Sequence, residues 1–438
     1  MRRLFVAISI AFFLIQPCSA AAMQRYDMEG AVMRALERNP SVESARHSAA
    51  AAESARQAAR SSFGPTAAAT YGYDRYNKDR PSRAEHGAAS LTVRLSQPLF
   101  TGFQLLNTYQ KARLQAESQQ LQLEARRLSI VLQVQQAFLA HIRAQESIRS
   151  GRRSLERARS QLAMAKTAWQ IGLKPRLDML QAEVEVARAE AALISHENER
   201  DVCRTRLNTL LDLPPAEPVE YLGRLDIRPF SRTLEQCLAF ALEHRPDLLL
   251  ARKSAEIAGK DLGIVRGSFW PQVSAVLGWT TSGSRLDASG GKYAKKDYAY
   301  ANVGLTLSWT LFTSGRRLHL TQQARHQVDA MEAAVRDAVN NSAYAVRSCL
   351  ITAQDSYRTV KVAEKAVVSA RESYENARMR YEEVQTGTYL ELLTAQSSLS
   401  DAELAEISAR AECLLALARL YEAMGELHPG LQEGRTLP

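Results

Sequence analysis

Two hydrophobic periods alternate along the chain, and they predict two kinds of element. Four segments of about ten residues alternate between apolar and polar positions, which is the period of a β-strand with one apolar face. The clearest segment places Ala, Val, Leu, Leu, Trp and Leu at every second position from residue 301 to residue 311. Long stretches between these segments contain almost no Gly or Pro and therefore predict helices. The pattern predicts a mixed protein in which strand pairs separate very long helices.

The alternating segments form two strand pairs, at about 66–100 and about 272–312, each joined by a polar turn. Their length and alternation are those of transmembrane β-strands, whose apolar side chains face lipid and whose polar side chains face a lumen. Aromatic residues near the ends of the apolar faces suit the belts found at membrane surfaces. These residues are Tyr71, Tyr73, Trp279 and Trp309. An amphipathic hairpin covering a soluble helical core has the same alternation and is the alternative interpretation.

The stretches without helix breakers predict two rods of about 70 residues, each about 100 Å long if continuous. Residues 316–386 contain no Gly or Pro, and residues 103–171 contain only Gly151. Return helices are predicted at 176–213 and 388–424. The first return helix carries residues at strict 3-4 spacing, which we interpret as a stripe for core packing between helices. The stripe consists of Leu177, Leu180, Val184, Ala187, Ala191 and Ile194.

The whole arrangement occurs twice. The residues Ala-Leu-Glu-Arg-Asn-Pro at 35–40 return as Ala-Leu-Glu-His-Arg-Pro at 241–246, an offset of 206. The offset grows to about 212 where Leu95–Gly102 matches Leu307–Gly315, and it is 213 after the long helices. A repeat of this length indicates a duplicated module. The predicted domains are a first repeat at 23–220, a second repeat at 221–427 and a C-terminal tail at 428–438.

The first 22 residues have the pattern of a secretory signal peptide. Arg2 and Arg3 precede an apolar run from Leu4 to Ile15, and small residues follow as far as Ala22. The protein is therefore expected to be exported, and a lipoprotein signal that uses Cys18 is the alternative. No later segment has 18 consecutive apolar residues, so no inner-membrane helix is expected.

Charge and chemistry exclude several classes of function. The net charge of +9 is spread along the helices as residues of mixed sign, which is typical of a solvated helix surface and not of a nucleic-acid site. The eight histidines are scattered, and no nucleophile–base pair, phosphate loop or metal spacing is present. We therefore expect no enzyme activity, no cofactor and no metal. The four cysteines after the signal peptide are interpreted as small, buried apolar residues of helices, and disulfides, which an oxidising compartment permits, are the alternative. They are Cys203, Cys237, Cys349 and Cys413.

Four strands cannot close a membrane barrel, because the smallest such barrels have eight. If the strands lie in a membrane, the chain must oligomerise, as a dimer with eight strands or a trimer with twelve. The count alone leaves both possibilities open. The function would be a conduit or, alternatively, a structural or adhesive trimeric coiled coil with a barrel anchor. The internal duplication argues against the adhesive protein, which uses one long helix per chain.

The order and duplication of several motifs resemble the TolC-like outer membrane efflux proteins. The motifs are Ser-Phe-x-Pro at 62–65 and 268–271, Leu-Phe-Thr…Gly at 99–102 and 311–315, and the segments 172–182 and 389–396. The resemblance implies a homotrimer with a 12-stranded barrel in outer membrane lipid and a 12-helix tunnel in the periplasm. It implies the exit duct of a tripartite efflux or type I secretion system. The implied partners are a periplasmic adaptor and an inner-membrane pump of the RND, ABC or MFS type.

The same resemblance assigns roles to the two helical tips. The adaptor would contact Gly172, Leu173, Lys174 and Pro175 in the first tip and Gln385, Thr386, Gly387 and Thr388 in the second. Asp178 and Glu391 would narrow the periplasmic aperture, although an acid near a helix N-terminus also favours the helix dipole. The sequence departs from the family at Gly387, where some members have an arginine that locks the closed state, and at Thr394, where some have a second acid. The cargo and the type of pump stay open.

Overall fold

The computed structural model of the chain describes residues 24–77, 87–289, 299–382, 387–428 and 430. The predicted signal peptide, most of the C-terminal tail, Gln385 and Thr386 lie outside these ranges. The helices of the first half are α1 (Met28–Arg38), α2 (Pro40–Ser61), α3 (Gln104–Gln170) and α4 (Arg176–Leu210). Those of the second half are α5 (Leu234–His244), α6 (Pro246–Gly267), α7 (Arg316–Glu382) and α8 (Tyr389–Met424). The strands are β1 (Gln24–Tyr26), β2 (Thr66–Arg75), β3 (Gly87–Phe100), β4 (Val219–Tyr221), β5 (Gln272–Gly283) and β6 (Ala299–Ser308). The predicted fold class, which combines very long helices with amphipathic strands, is confirmed.

The lengths of the elements follow the sequence repeat. Helices α1 and α5 have 11 residues each, α2 and α6 have 22, and α3 and α7 have 67. Each half opens with two helices that meet at Pro40 or Pro246. Proline occupies the first position of the second helix, because it has no amide proton to continue the preceding helix and its φ suits a helix start.

The two strand–helix junctions share an unusual backbone conformation. Gly102 and Phe103 have φ of 60° and 65°, and Ser314 and Gly315 have φ of 48° and 79°. The structure therefore matches Gly102 with Ser314 and Phe103 with Gly315, at an offset of 212. The sequence motif alone aligns Gly102 with Gly315, and the backbone geometry corrects this alignment.

Strands β2, β3, β5 and β6 form one antiparallel sheet in the order β2-β3-β5-β6. The register brings the apolar positions of all four strands onto one face. One row across the sheet is Ala69, Val93, Trp279 and Ala301. The adjacent row on the other face is Ala68, Arg94, Gly278 and Asn302. The hydrophobic alternation of the sequence thus becomes one apolar face and one polar face of a single sheet.

Strand β6 ends four residues earlier than the sequence predicted. In the first half, β3 continues to Phe100 because β5 pairs with it. The corresponding residues of the second half, 309–312, follow an edge strand and have no neighbour in the sheet. Leu311 and Phe312 are 75% and 83% exposed as a result. A strand needs a neighbour to satisfy its backbone hydrogen bonds, so this segment is not assigned as a strand in a single copy.

The main hydrophobic core lies near the middle of the long helices. There, α1, α5, the end of α4 and the end of α8 pack around residues 123–142 of α3 and 346–353 of α7. A parallel pair formed by β1 and β4 covers part of this core, and Tyr221 of β4 is fully buried. The sequence did not predict this pair, because three residues are too few to show a period.

The stripe predicted on α4 does not pack inside the protomer. Leu177, Val184 and Ile194 are each at least half exposed, and the residues buried near the start of α4 are Met179 and Ala182. Helix α3 packs along α4 and α8, and α7 packs along α8, whereas α4 and α7 have no extensive contact in the described residues. A second exposed apolar set lies on α7 and includes Tyr344, Ile351 and Val362. One copy of the chain therefore leaves helical surfaces uncovered on both sides.

Two further observations concern the described residues. None of their helices is both long and apolar enough to span a membrane. Their four cysteines, one in each of α4, α5, α7 and α8, are free thiols.

Candidate functional site

The first helical tip is a turn that glycine makes possible. Helix α3 ends at Gln170, and Gly172 follows with φ of 82°, a left-handed conformation that favours glycine. The amide of Leu173 donates to the carbonyl of Ala168 at 2.9 Å, and the amide of Gly172 donates to Trp169 at 3.0 Å. This pair of hydrogen bonds is the Schellman arrangement that closes a helix C-terminus. Helix α4 then begins directly after Pro175.

The first tip is apolar and exposed. Ile171 and Leu173 are 65% and 59% exposed, and Leu177 lies close by on the first turn of α4. Lys174 is drawn back toward the helices, where its Nζ atom lies 4.4 Å from the centre of the Tyr381 ring. A group of exposed aliphatic side chains at the end of a 67-residue helix is a surface suited to another protein.

The second tip is described only from Gly387 onward. The amide of Gly387 donates to the carbonyl of Arg380 at 3.2 Å, so the turn folds back on the end of α7. A Cβ atom at Gly387 would come within 3.2 Å of the backbone of Arg380 and Tyr381, which favours glycine there. Thr388 caps α8, because its hydroxyl accepts the amide hydrogen of Glu391 at 3.3 Å.

Asp178 and Glu391 occupy equivalent positions, the third residue of α4 and of α8. Asp178 is partly buried, and its Oδ2 atom accepts a hydrogen bond from the hydroxyl of Tyr381 at 3.1 Å. Tyr381 is only 7% exposed, and burial together with the nearby Asp178 carboxylate raises the pKa of its hydroxyl. The hydroxyl therefore stays protonated and donates, so this bond joins α4 to α7 at the tip.

Glu391 has a more open environment. Its Oε2 atom lies 3.8 Å from an Nη atom of Arg380, and both side chains are more than half exposed. An exposed pair at this distance contributes little stability and is screened by salt. The two predicted aperture acids therefore differ: Asp178 is held by a neutral hydroxyl, and Glu391 faces a loosely held cation.

A second hydrophobic cluster lies behind the tip. The Tyr381 and Tyr389 rings meet edge to face with their centres 5.6 Å apart, and Leu392 and Ala182 are buried beside them. Sequence reasoning missed Arg380 and Tyr381 as tip residues. A signal for Tyr381 was nonetheless present, since α7 buries one residue at every seventh position near the helix end. The buried heptad positions are Val346, Ala353, Val360, Val367, Tyr374 and Tyr381.

The four aromatic residues predicted for the membrane surfaces lie at two levels of the sheet. Tyr71, Tyr73 and Trp279 are in the halves of β2 and β5 nearer the hairpin loops. Trp309 follows β6 at the helical end, where its Nε1 atom donates to the carbonyl of Phe269 at 3.1 Å. All four are exposed. A membrane protein has one aromatic belt at each membrane surface, so two levels are consistent with this arrangement. That these residues face lipid stays a prediction.

Comparison with known proteins places the whole repeat in one family. The sequence model described as "Outer membrane efflux protein" matches residues 31–212 and 238–426. The chain is 26% identical to the outer membrane protein TolC of Vibrio cholerae over 407 residues, which cover 90% of this chain and 89% of the relative. It is 25% identical to the alkaline protease secretion protein AprF of Pseudomonas aeruginosa, over 77% of this chain and 69% of the relative.

Solved structures agree with this fold. The outer membrane protein VceC of Vibrio cholerae superposes with a TM-score of 0.77 and 19% identity, covering 91% of this chain and 96% of that protein. The Campylobacter jejuni CmeC outer membrane channel superposes with a TM-score of 0.80 and 16% identity, covering 93% and 87%. At these identities the superpositions establish the fold.

Proposed function

The chain belongs to the outer membrane efflux protein family, and we propose that it is the exit duct of a tripartite efflux or type I secretion system. Its relatives include a protein named as a toluene efflux pump outer membrane protein and one named as an alkaline protease secretion protein. The protein is an outer membrane channel, and cargo crosses it passively. The main support for this function is one structural combination. An amphipathic four-stranded sheet is attached to two helices of 67 residues, each long enough to extend about 100 Å from the sheet.

Three copies of the chain form the duct in this proposal. Strands β2 and β6 are open edges of ten residues each, and lipid does not tolerate open edges. Pairing β6 of one copy with β2 of the next is a head-to-tail contact, which closes into a ring. Two copies would give eight strands, an interior that side chains fill. Three copies give twelve strands and leave a lumen.

The uncovered helical surfaces support the same assembly. Within one chain, α3 of the first repeat packs against α8 of the second. By the repeat, the equivalent contact joins α7 of one copy to α4 of the next. The exposed apolar residues of α4 and α7 lie where that contact requires them. The equivalence explains why each surface is apolar and yet uncovered in a single copy.

The tips contact the periplasmic adaptor in this proposal. Gly172, Leu173, Lys174 and Pro175 form an exposed turn with an apolar surface, and Gly387 and Thr388 begin the corresponding part of the second tip. A partner protein that covers Ile171 and Leu173 would remove two large exposed aliphatic side chains from water, which favours association. An inner-membrane pump joined through the adaptor supplies the energy.

The aperture lies just above the tips, with Asp178 and Glu391 as its acids. A threefold ring of Glu391 would favour cations at the constriction. In this proposal the Tyr381–Asp178 hydrogen bond holds the closed state inside each protomer, with a small contribution from the exposed Arg380–Glu391 pair. Arg380 thereby supplies a cation at a tip whose position 387 is glycine.

The tip assignment is tested by placing a photoreactive amino acid at Leu173 in cells that contain the adaptor. We expect a crosslink between the two proteins, because Leu173 is exposed at the extreme end of the helices. Val202 on α4 is the control. Like Leu173 it is exposed, but it lies 29 residues further along the chain, which is about 40 Å along a helix.

Two negative results have different meanings. Absence of the adaptor crosslink, with the protein inserted as an outer membrane trimer, contradicts the tip assignment. Recovery of the protein as a soluble periplasmic monomer contradicts the duct itself.

A further inference from the structure

The polar face of the sheet carries one charged residue near its middle. Arg94 is the eighth residue of β3, a strand of 14 residues, and it is exposed on the face opposite Val93 and Leu95. Among the described strand residues, the other charge on this face is Asp74, near the hairpin end of β2. Arg94 is paired in register with Ala68, six residues from Asp74, which is about 20 Å along a strand. The guanidinium therefore has no carboxylate of the sheet within reach.

The surroundings of Arg94 leave its side chain room to extend. Its neighbours across the strands are Ala68 and Gly278, which have little or no side chain. Asn302, the next residue in the row, folds its amide over Gly278, where an added Cβ atom would lie 2.5 Å from Oδ1. The row thus combines a long cation, two small residues and an amide, with hydroxyls at Thr92 and Ser96 on either side along β3.

The sequence repeat shows that this charge is specific to one half of the chain. At the offset of 212 that relates β3 to β6, the position equivalent to Arg94 is Thr306. Each protomer therefore contributes a single arginine at this level. Three protomers related by a threefold axis place three Arg94 side chains at one height inside the barrel.

We propose that the three Arg94 side chains form an anion-selective ring in the lumen of the barrel, which admits and retains cargo bearing phosphate, sulfate or several carboxylate groups. The inference rests on the proposed trimer. Twelve strands about 4.8 Å apart and tilted by about 40° enclose a backbone cylinder about 24 Å wide. Three arginines projecting inward reduce the opening substantially. Rings of Arg or Lys are the device by which anion pores select.

The ring gives the duct opposite charges at its two constrictions. The proposed aperture at the tips is lined by carboxylates, whereas the barrel carries guanidinium groups in a lumen that is otherwise neutral near Arg94. An anion that has passed the tips meets an attractive site before it leaves the cell. A multivalent anion arriving from outside meets the same site first, and so it should block the channel.

The test measures current through the purified trimer in planar bilayers. Two readouts are the reversal potential in a KCl gradient and the block by inositol hexakisphosphate added on the side of the hairpin loops. We expect Arg94→Gln to shift the reversal potential toward cation selectivity and to weaken the block about tenfold or more, because a charge ring selects through its charge. Arg94→Glu should shift selectivity further, and Arg94→Lys should keep it.

Two other variants sharpen the result. Arg75→Gln removes an arginine from the opposite, apolar face of the same sheet and should leave both readouts unchanged. Thr306→Arg adds a second cation per protomer at the equivalent position and should strengthen the block, which tests the ring even if Arg94→Gln assembles poorly. All variants carry the native tips, so only the barrel differs.

The outcomes separate this inference from the proposed function. A wild-type protein that forms no conducting trimer contradicts the duct. Conducting trimers in which Arg94→Gln, Arg94→Glu and Thr306→Arg all behave like the wild type overturn the arginine ring and leave the duct intact.

Discussion

Gly102 shows how single residues fix the junction between sheet and helices. At φ of 60°, a Cβ atom on Gly102 would lie 2.3 Å from the carbonyl oxygen of Gly267 and 2.8 Å from Cβ of Trp270. The repeat has a serine at the equivalent position, Ser314, with φ of 48°. Phe103 and Ser314 adopt the left-handed region without being glycine, a strain of about 1 to 3 kcal/mol each that the surrounding packing must offset.

We therefore expect Gly102→Ala to destabilise the protein by about 2 kcal/mol or more, since it combines backbone strain with a collision against main-chain atoms. The measurement is the temperature at which the trimer dissociates in detergent. Gly259→Ala is the matched control, because nothing lies within 4 Å of its Cβ position in α6. Alanine stabilises an exposed helix position by about 1 kcal/mol relative to glycine. Equal dissociation temperatures for the two variants would contradict the close approach at Gly102.

At the scale of single residues, sequence reasoning reached some tip residues and missed others. Gly172 was assigned to the tip through the family resemblance, and its φ of 82° gives the physical reason for glycine after the long helix. The partner of Asp178 was not, because Tyr381 is 203 residues away and no local pattern joins the two. The same holds for Arg380 and Glu391, whose contact depends on how α7 and α8 meet at the tip.

Among the elements, α7 determines how the tip is held. The residues buried at its heptad positions are valine or alanine from 346 to 367, and the last two are Tyr374 and Tyr381. Both hydroxyls make hydrogen bonds, but to different elements. Tyr374 receives a hydrogen bond from Gln161 of α3 at 3.3 Å, and Tyr381 donates to Asp178 of α4. The bond made by Tyr381 is the one that joins α7 to the return helix α4 at the tip.

We expect Tyr381→Phe to raise the open probability of the channel in planar bilayers by about twofold or more, because a lost hydrogen bond of about 1 kcal/mol shifts a closed–open equilibrium about fivefold. The phenyl ring keeps the packing against Tyr389. Tyr374→Phe is the control, since it removes a hydroxyl one heptad away that does not contact Asp178. An open probability that rises equally in both variants would show that the tip is not held by the Asp178 bond.

The strands show where element prediction succeeds and where it stops. Alternation located both hairpins, because every second side chain of a strand shares one face. It could not locate the end of β6, since residues 309–312 keep the alternating pattern but have no neighbouring strand in one copy. Helix length was equally predictable from the absence of Gly and Pro, whereas the short pair of β1 with β4 had no detectable period.

For the whole molecule, the repeat predicts the register between protomers. Within one chain, Arg94 of β3 is opposite Gly278 of β5. The offset of 212 relates Arg94 to Thr306 of β6, and the offset of 206 relates Gly278 to Gly72 of β2. The repeat therefore predicts that Thr306 of one copy lies opposite Gly72 of the neighbouring copy. Directly opposed residues on antiparallel strands have Cα atoms about 4.5 to 5.5 Å apart, which a disulfide can bridge.

We expect cysteines placed at Gly72 and Thr306, in a chain whose native cysteines are replaced by alanine, to crosslink protomers on mild oxidation. Denaturing gels without reductant should then show dimers and trimers and no larger species. Gly72 with Asn302 is the control pair, because it is displaced by four residues, about 13 Å along the strand. Crosslinking of the control pair but not of Thr306 would show a different register, and a ladder that ends at dimers would contradict three copies.

The sequence by itself determined the periods, the lengths of the rods, the duplication and the family, because each is a property of residues near one another or of a repeated order. The tertiary structure decided what depends on distant contacts. It placed β3 beside β5, joined Tyr381 to Asp178, and left the α4 stripe exposed where core packing had been expected. The physical reason is that periodicity specifies which face of an element is apolar, and only the packing of the whole chain specifies what that face meets.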